Sequence, residues 1–417
     1  MPITLIKRYG HINWILLDQA IVSAGNFISV VILARALGLV QFGQFSVVWL
    51  VVLFTSSIVM AVCVFPMMTN YCLLPVEKRP QYLIGTFGTF IYAVGIWIVI
   101  SLALYLMLAL LDFKELEVFV FPLMACVIAI HFQDFVRRML ITMGRRRLAV
   151  ISDGLTYLLR IGVLAFLWEM EALDIVVALN VFTMTSFIGA FVVYALPFNM
   201  NLRQTTCFAW AENRKSAKWL LPSGLLQWSS INLFISAAAF LLSPAAVGVI
   251  RICQSLLAVL NVLIQGLENI VPLRASKLLS EHGAHSMVRY LVRVSMIGVV
   301  PVLILIIVCS LFGGEIIAFV YGEEYRDLAS LPLVIYSIAY IFVFLIVPVR
   351  AGLRSLDETR EWFNAYVASS IFSLSIVYFI EVNYNVLGAV WGILLAHVVL
   401  IGYSLVMLSR KLKMVVQ

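Results

Sequence analysis

Three arginines stand inside runs otherwise apolar enough to enter lipid: Arg35, Arg160 and Arg251. A guanidinium is a permanent cation whose planar fork donates two parallel hydrogen bonds to a phosphate or carboxylate. At mid-bilayer it costs about 2.5–3.5 kcal/mol on insertion scales, so it faces a bundle interior or a water-filled cavity. Arg160 sits near the middle of "LAVISDGLTYLLRIGVLAFLW", and Asp153, seven residues earlier, shares its helical face. Two readings compete there: a cavity grip on a phosphate or acidic sugar, and a structural Asp153–Arg160 contact bridged through neighbours. Arg251 opens a stripe of Arg251, Gln254, Asn261, Gln265 and Glu268, spaced 3, 7, 4 and 3 residues apart, which is one helix face. That stripe lines a polar interior or hydrogen-bonds a neighbouring helix.

Asp18, Gln19, Ser23, Asn26 and Ser29 repeat the pattern on an earlier run that ends at Arg35. Arg35 is placed either at a cavity rim or snorkelling to headgroups. The substrate-binding candidates are therefore Arg35, Arg160, Arg251, Asn26, Gln254 and Asn261. Three carboxylates, Asp18, Asp153 and Glu268, are candidates for a coupled proton or sodium ion. The six cysteines are scattered without metal-ligand spacing, and neither a Ser/His/Asp set nor a paired-His motif with a nearby acid is in reach. The expectation is a protein that is not an enzyme and holds no cofactor or metal.

The elements that must position these groups are membrane helices. The chain has 417 residues, is 63% hydrophobic and 12% charged, and has a mean hydropathy of +1.07. A soluble domain carries about 25% charged residues, so the apolar excess faces lipid. A span needs about 20 mostly apolar residues. Runs of that size lie at 14–34, 42–66, 82–110, 117–136, 148–168, 173–196, 218–242, 245–272, 289–312, 328–350, 363–381 and 386–408. The first is read as a retained helix, since no small-residue cleavage site follows it. The longest connection is "PFNMNLRQTTCFAWAENRKSAK", between spans six and seven.

Placing the N-terminus in the cytoplasm puts 23 of the 28 Lys and Arg residues on the cytoplasmic side, Arg350 among them. The opposite loops are rich in Asp and Glu. This positive-inside bias accounts for the net charge of +7 without nucleic acid. It also fits an even number of spans with both termini cytoplasmic. Internal similarity points to duplication. Trp14 and Trp219 begin spans 205 residues apart, and the same offset matches Gly43 to Gly248. Phe65-Pro66 precedes Val271-Pro272 by 206 residues, and Leu140 onward tracks Leu353 onward at 213. Six helices per half make a parallel repeat, divided as 1–210 and 211–417.

Four segments in order, "ILARALGLVQFGQF", "SPAAVGVIRICQSLLAVL", "FVYGEEYRDLASLPLVIYS" and "LGAVWGILLAHVV", resemble recurring segments of Wzx-type polysaccharide flippases. That group belongs to the multidrug/oligosaccharidyl-lipid/polysaccharide (MOP) exporter superfamily, with the MATE multidrug exporters and the lipid II flippases. The resemblance implies an all-α membrane protein of twelve transmembrane helices in two six-helix bundles, arranged as a V-shaped exporter. Its implied cargo is an undecaprenyl-pyrophosphate-linked oligosaccharide, moved across the bacterial inner membrane for O-antigen, capsule or exopolysaccharide assembly. Membrane lipids, a polysaccharide polymerase and assembly proteins are the implied partners.

Two other classes compete. A drug–cation antiporter wants a net acidic, aromatic site at mid-depth, whereas the deep charges here favour arginine. A polysaccharide polymerase or ligase wants a large outer loop with catalytic His or Arg, and the outer loops are short. His131, Gln133 and Asp134 beside Arg137 read as an interfacial charge cluster, and His397 as a hydrogen-bonded packing residue. Prolines 66, 222, 272, 301 and 348 are expected to kink or end helices. Gly38 and Gly43 are expected to let the turn after the first span be tight.

Overall fold

A computed structural model of the chain describes residues 2–195 and 202–416, and every regular element among them is helical. In order these are α1 Pro2–Val59, α2 Phe65–Leu73, α3 Arg79–Leu110, α4 Lys114–Thr142, α5 Arg146–Glu169, α6 Ile175–Ala190, α7 Leu202–Leu241, α8 Pro244–Leu257, α9 Val259–Tyr321, α10 Arg326–Ser355 and α11 Thr359–Val416. Helices follow from the solvent: in hydrocarbon no water satisfies a backbone N–H or C=O, so each must bond within its own segment. Large apolar side chains point outward, with Phe240 89% and Leu110 86% exposed, the inverse of a soluble surface. Among the described residues, nine helices are long and apolar enough to cross a membrane. The fold is thus that of a multi-pass, all-helical membrane protein.

Three of the long helices are each broken once. Gly38 (φ 66°) interrupts α1, Gly283 (φ 77°) interrupts α9 and Asn385 (φ 52°) interrupts α11. Gly38 serves the turn after the first span, as expected, because a residue without Cβ enters the left-handed region without steric cost. Gly43 does something else. A Cβ there would run into the Pro244 carbonyl and stand 2.9 Å from the Ala245 nitrogen. Its role is close approach to the start of α8, which Ser243 caps by accepting from Ala246 N at 3.3 Å. Gly248, its partner in the repeat alignment, lies on the same contact: a Cβ there would stand 3.2 Å from Gly43 Cα.

The prolines at 222, 272, 301 and 348 all lie inside helices. Pro66 does not end its span either. Met60–Val64 forms a π-helical turn just before it, and α2 continues to Leu73. A π turn shifts the hydrogen-bond ladder where proline lacks a donor and crowds the carbonyl four residues back.

The connection between spans six and seven departs from expectation. Its "PFNMN" portion, and the expected end of span six at 196, lie outside the described residues. From Leu202 onward the connection is not a loop but the first half of α7. Thr205, Ala209, Asn213 and Ala217 recur every four residues and are buried, while Arg203, Arg214, Lys215 and Lys218 stay exposed or half-exposed. The buried stripe of small residues has a helical period despite the basic composition, and it packs on α3 where Gly85 and Gly88 leave room for Thr205 and Thr206.

The chain divides into two compact units, Met1–Leu37 with Val48–Leu225, and Gly38–Val47 with Leu226–Gln417. The division falls inside α7. The core of the first unit gathers Met67, Tyr82, Phe90, Phe135 and Met139, with the Phe90 and Phe135 rings stacked at 4.8 Å. Tyr82 there reaches the Asn213 side chain at 2.5 Å and Pro66 O at 3.0 Å.

Candidate functional site

In the first unit, α1, α4 and α5 bring three carboxylates to one guanidinium. Arg137 Nη2 donates to Asp18 Oδ2 at 2.8 Å and Nη1 donates to Asp134 Oδ1 at 3.1 Å. Arg137 Nε lies 2.7 Å from Asp153 Oδ2, close but off the hydrogen-bonding line. Arg138 Nε adds a second cation at 2.8 Å from Asp134 Oδ2. Gln133 Nε2 donates to Asp153 Oδ1 at 2.8 Å and Ser152 Oγ at 3.1 Å. Three carboxylates against two guanidiniums leave one negative charge in excess. Asp18 Oδ1 and Asp153 Oδ2 are buried without a hydrogen-bond donor. His131 is also buried, with Nε2 2.8 Å from Thr55 Oγ1. Of the group read as an interfacial cluster, His131 and Gln133 are buried, while Asp134 and the neighbouring Arg138 stay partly exposed.

Arg160 is not the counter-ion of Asp153. Seven residues along a helix are about 10.5 Å, too far for direct contact, and Arg137 reaches Asp153 from the neighbouring helix instead. Arg160 is 3% exposed. Its Nη2 donates to Ser186 Oγ at 3.1 Å and its Nε to Thr185 Oγ1 at 3.4 Å, both on α6. Its guanidinium carbon lies 4.0 Å from the centre of the Phe182 ring and 5.0 Å from that of Tyr157. Asn26 Nδ2 meets the same Tyr157 hydroxyl at 3.5 Å. Asp18, Asn26, Asp153 and Arg160 are thus neighbours in one unit, joined by Arg137 and Tyr157. Arg35 stands apart, exposed three residues before the break at Gly38.

In the second unit the stripe from Arg251 to Glu268 crosses from α8 into α9 and faces α10. Arg251 Nη1 donates to Gln254 Oε1 at 3.2 Å, and Gln254 Nε2 donates to Tyr336 Oη at 3.0 Å. Asn261 lies beside Tyr340, and Glu268 forms an ion pair with Arg350. Tyr336, Tyr340 and Arg350 repeat at helical spacing on one face of α10, so the seam runs along the helix pair. The stripe hydrogen-bonds a neighbouring helix through Gln254, and of its five residues Glu268 lines a cavity. Arg251 itself is half-buried and makes no ion pair among the described residues.

Sequence reasoning passed over Arg137, Tyr157, Tyr336 and Arg350 as site residues. Arg350 was counted as an ordinary cytoplasmic cation, yet it lies within α10, where its guanidinium rests 5.5 Å from the Trp362 ring centre. The spacing of Tyr336, Tyr340 and Arg350, matched against the stripe on α8 and α9, was the available signal.

No protein-family model matches the chain, and no curated protein matches it by sequence. Solved structures do. An inward-facing MATE-family multidrug resistance transporter of the MOP superfamily aligns with a TM-score of 0.71 at 14% identity, over 95% of this chain and 96% of that one. The lipid II flippase MurJ, in an inward closed conformation, aligns with a TM-score of 0.69 at 12% identity, over 95% and 87%. A MOP-superfamily transporter from Pyrococcus furiosus, described as having a binding pocket of reversed polarity, aligns with a TM-score of 0.64 at 13% identity, over 97% and 95%. At these identities the likeness is one of fold: the chain has the fold of the MOP-superfamily transporters.

Proposed function

We propose that the chain is an alternating-access flippase. It moves an undecaprenyl-pyrophosphate-linked oligosaccharide across the bacterial inner membrane for surface-polysaccharide assembly. The observation that carries this reading is Arg251, a half-buried guanidinium within a membrane unit whose hydrogen-bond partner, Gln254, is neutral. A cation without an ion-pair partner inside a membrane unit favours an anionic headgroup and repels a cationic drug. Pyrophosphate offers oxygens at the geometry a guanidinium fork binds. In the first unit Arg35 is exposed and Arg160 is almost fully enclosed.

In this reading the breaks at Gly38, Gly283 and Asn385 divide the nine long helices into twelve spans. They form two six-helix bundles over 1–210 and 211–417, with both termini cytoplasmic. The coupling site is the Asp18–Asp153 pair, where two donorless oxygens and one excess negative charge call for a single proton or sodium ion. Glu268 is the weaker coupling candidate because Arg350 already neutralises it. A polymerase and assembly proteins would receive the product. The acidic excess in the first unit, and the MATE fold neighbour, favour a second reading: an ion-coupled multidrug exporter.

Deletion in the native host separates the two. The flippase reading expects loss of surface polysaccharide and accumulation of the lipid-linked repeat on the inner leaflet, with Arg251→Ala reproducing both at equal protein level. Intact polysaccharide together with raised ethidium accumulation would overturn it in favour of drug export.

A further inference from the structure

A cavity of ≈ 140 Å³ opens within the second unit, lined on its polar side by Gln227, Ser230, Glu268, Arg350, Ser369 and His397. We infer that this cavity is a subsite for one neutral sugar residue, defined by its balanced set of donors and acceptors around a self-neutralised ion pair. The inference rests on the flippase reading and adds which part of the cargo is held, and where.

Charge is the first argument. Glu268 and Arg350 neutralise each other. A phosphate or acidic sugar entering here would meet the Glu268 carboxylate. An amine would meet the Arg350 guanidinium. Each charged ligand meets a like charge beside the opposite one, so neither sign gains over a neutral ligand that leaves the pair intact.

Hydrogen bonding is the second. His397 Nδ1 lies 2.8 Å from Ile393 O, and a carbonyl only accepts, so Nδ1 carries the hydrogen and Nε2 is an acceptor. Glu268 accepts. Gln227 has no hydrogen bond to another described residue, so its amide offers both a donor and an acceptor. Ser230 Oγ pairs with Ser370 Oγ at 2.8 Å, and Ser369 donates to Ala396 O at 2.9 Å, leaving lone pairs on both hydroxyls. Arg350 supplies further donors, held in place by Glu268 and by the Trp362 ring. Residues carrying donors and residues carrying acceptors thus line one small space. A ring of hydroxyls, each both donor and acceptor, satisfies such a wall; an apolar ligand or a simple ion does not.

Size is the third. A water takes about 30 Å³ of liquid, so the ≈ 140 Å³ cavity has the volume of about five waters. That suits a single pyranose, and it is well below the ~300–1,000 Å³ typical of drug-sized ligand sites. Tyr366, Ile231 and Leu400 line the apolar side, where the C–H face of a sugar ring would lie.

The test is saturation-transfer NMR on the full chain in lipid nanodiscs. The probes are glucose, galactose, rhamnose and N-acetylglucosamine, with glucuronate and glucosamine as charged counterparts. At least one neutral sugar should give a saturable signal, with both charged sugars binding about tenfold or more weaker. Ala396→Trp, which fills the cavity, and Gln227→Leu, which removes amide groups without filling it, should each abolish that signal. Should Ala396→Trp fail to fold, Gln227→Leu alone decides. No binding by any neutral sugar, equal binding of a charged one, or a signal that survives Gln227→Leu would overturn the inference. None of these readouts requires transport. Normal surface polysaccharide after gene deletion would instead remove the flippase reading, whatever the sugar binds.

Discussion

Two buried arginines in the same unit should respond unequally to replacement. Arg137 has a 12% exposed side chain and contacts carboxylates from three helices, including Asp153 at 1% exposure, so solvent screens these interactions little. Arg137→Gln leaves Arg138 to serve Asp134 alone and raises the local excess from one negative charge to two. Breaking a buried pair by removing one partner costs about 3–5 kcal/mol. Asp153→Asn placed in that background should return part of the loss, with a coupling of about 0.5–3 kcal/mol. Arg160 is the control. Its hydrogen-bond partners are hydroxyls, and Thr185 Oγ1 also donates to Val181 O at 2.8 Å, so it stays satisfied without the arginine. Arg160→Met forfeits cation–π contacts of about 0.5–2 kcal/mol each but removes a buried, unpaired charge, and the net change should lie within about 2 kcal/mol of zero. With Cys72, Cys207, Cys253 and Cys309 replaced by Ser or Ala, heating the purified protein with a thiol-reactive dye reads this, because Cys63 and Cys126 are buried in this unit and become reactive on unfolding. Equal destabilisation by the two arginine replacements would refute the charge accounting. So would Asp153→Asn deepening the damage of Arg137→Gln.

Two further expectations concern packing. Gly43→Ala should destabilise by about 1–3 kcal/mol, because its Cβ meets the Pro244 backbone, and Gly248→Ala by less, since its nearest approach is 3.2 Å; the same thermal assay ranks them. Asn213→Ala should cost about 1–3 kcal/mol by stripping buried partners from Tyr82 and from Asn70, whose amide donates to Asn213 Oδ1 at 3.2 Å; Tyr82→Phe should cost less, since Asn70 still satisfies Asn213, and thermal midpoints of the two variants check the order.

Much of the fold was legible because one solvent argument governs it. Apolar runs of about 20 residues must be helical in hydrocarbon, and their limits follow from charge and turn residues such as Asp174, which caps α6 by accepting from Val177 N at 2.8 Å. The stripe from Arg251 to Glu268 was legible for the same reason, since a helix displays its period without help from neighbours. Helix breaks were less so. Proline at 66 reads as an end, yet a π turn absorbs it, and the basic stretch from Leu202 reads as a loop, although its small buried residues keep a helical period against α3.

By itself the sequence determined that the chain is helical and membrane-embedded, which residues carry charge into lipid, and which share a helix face. Pairing across helices was decided only by the tertiary structure. Asp153 and Arg160 share a face, but the rise between them is too great, and Arg137 on α4 takes the carboxylate instead. Glu268 ends a polar stripe, but only packing against α10 gives it Arg350 and turns the pair into a cavity wall. Periodicity is a property of one helix, whereas a charge finds its partner according to which helix packs beside it.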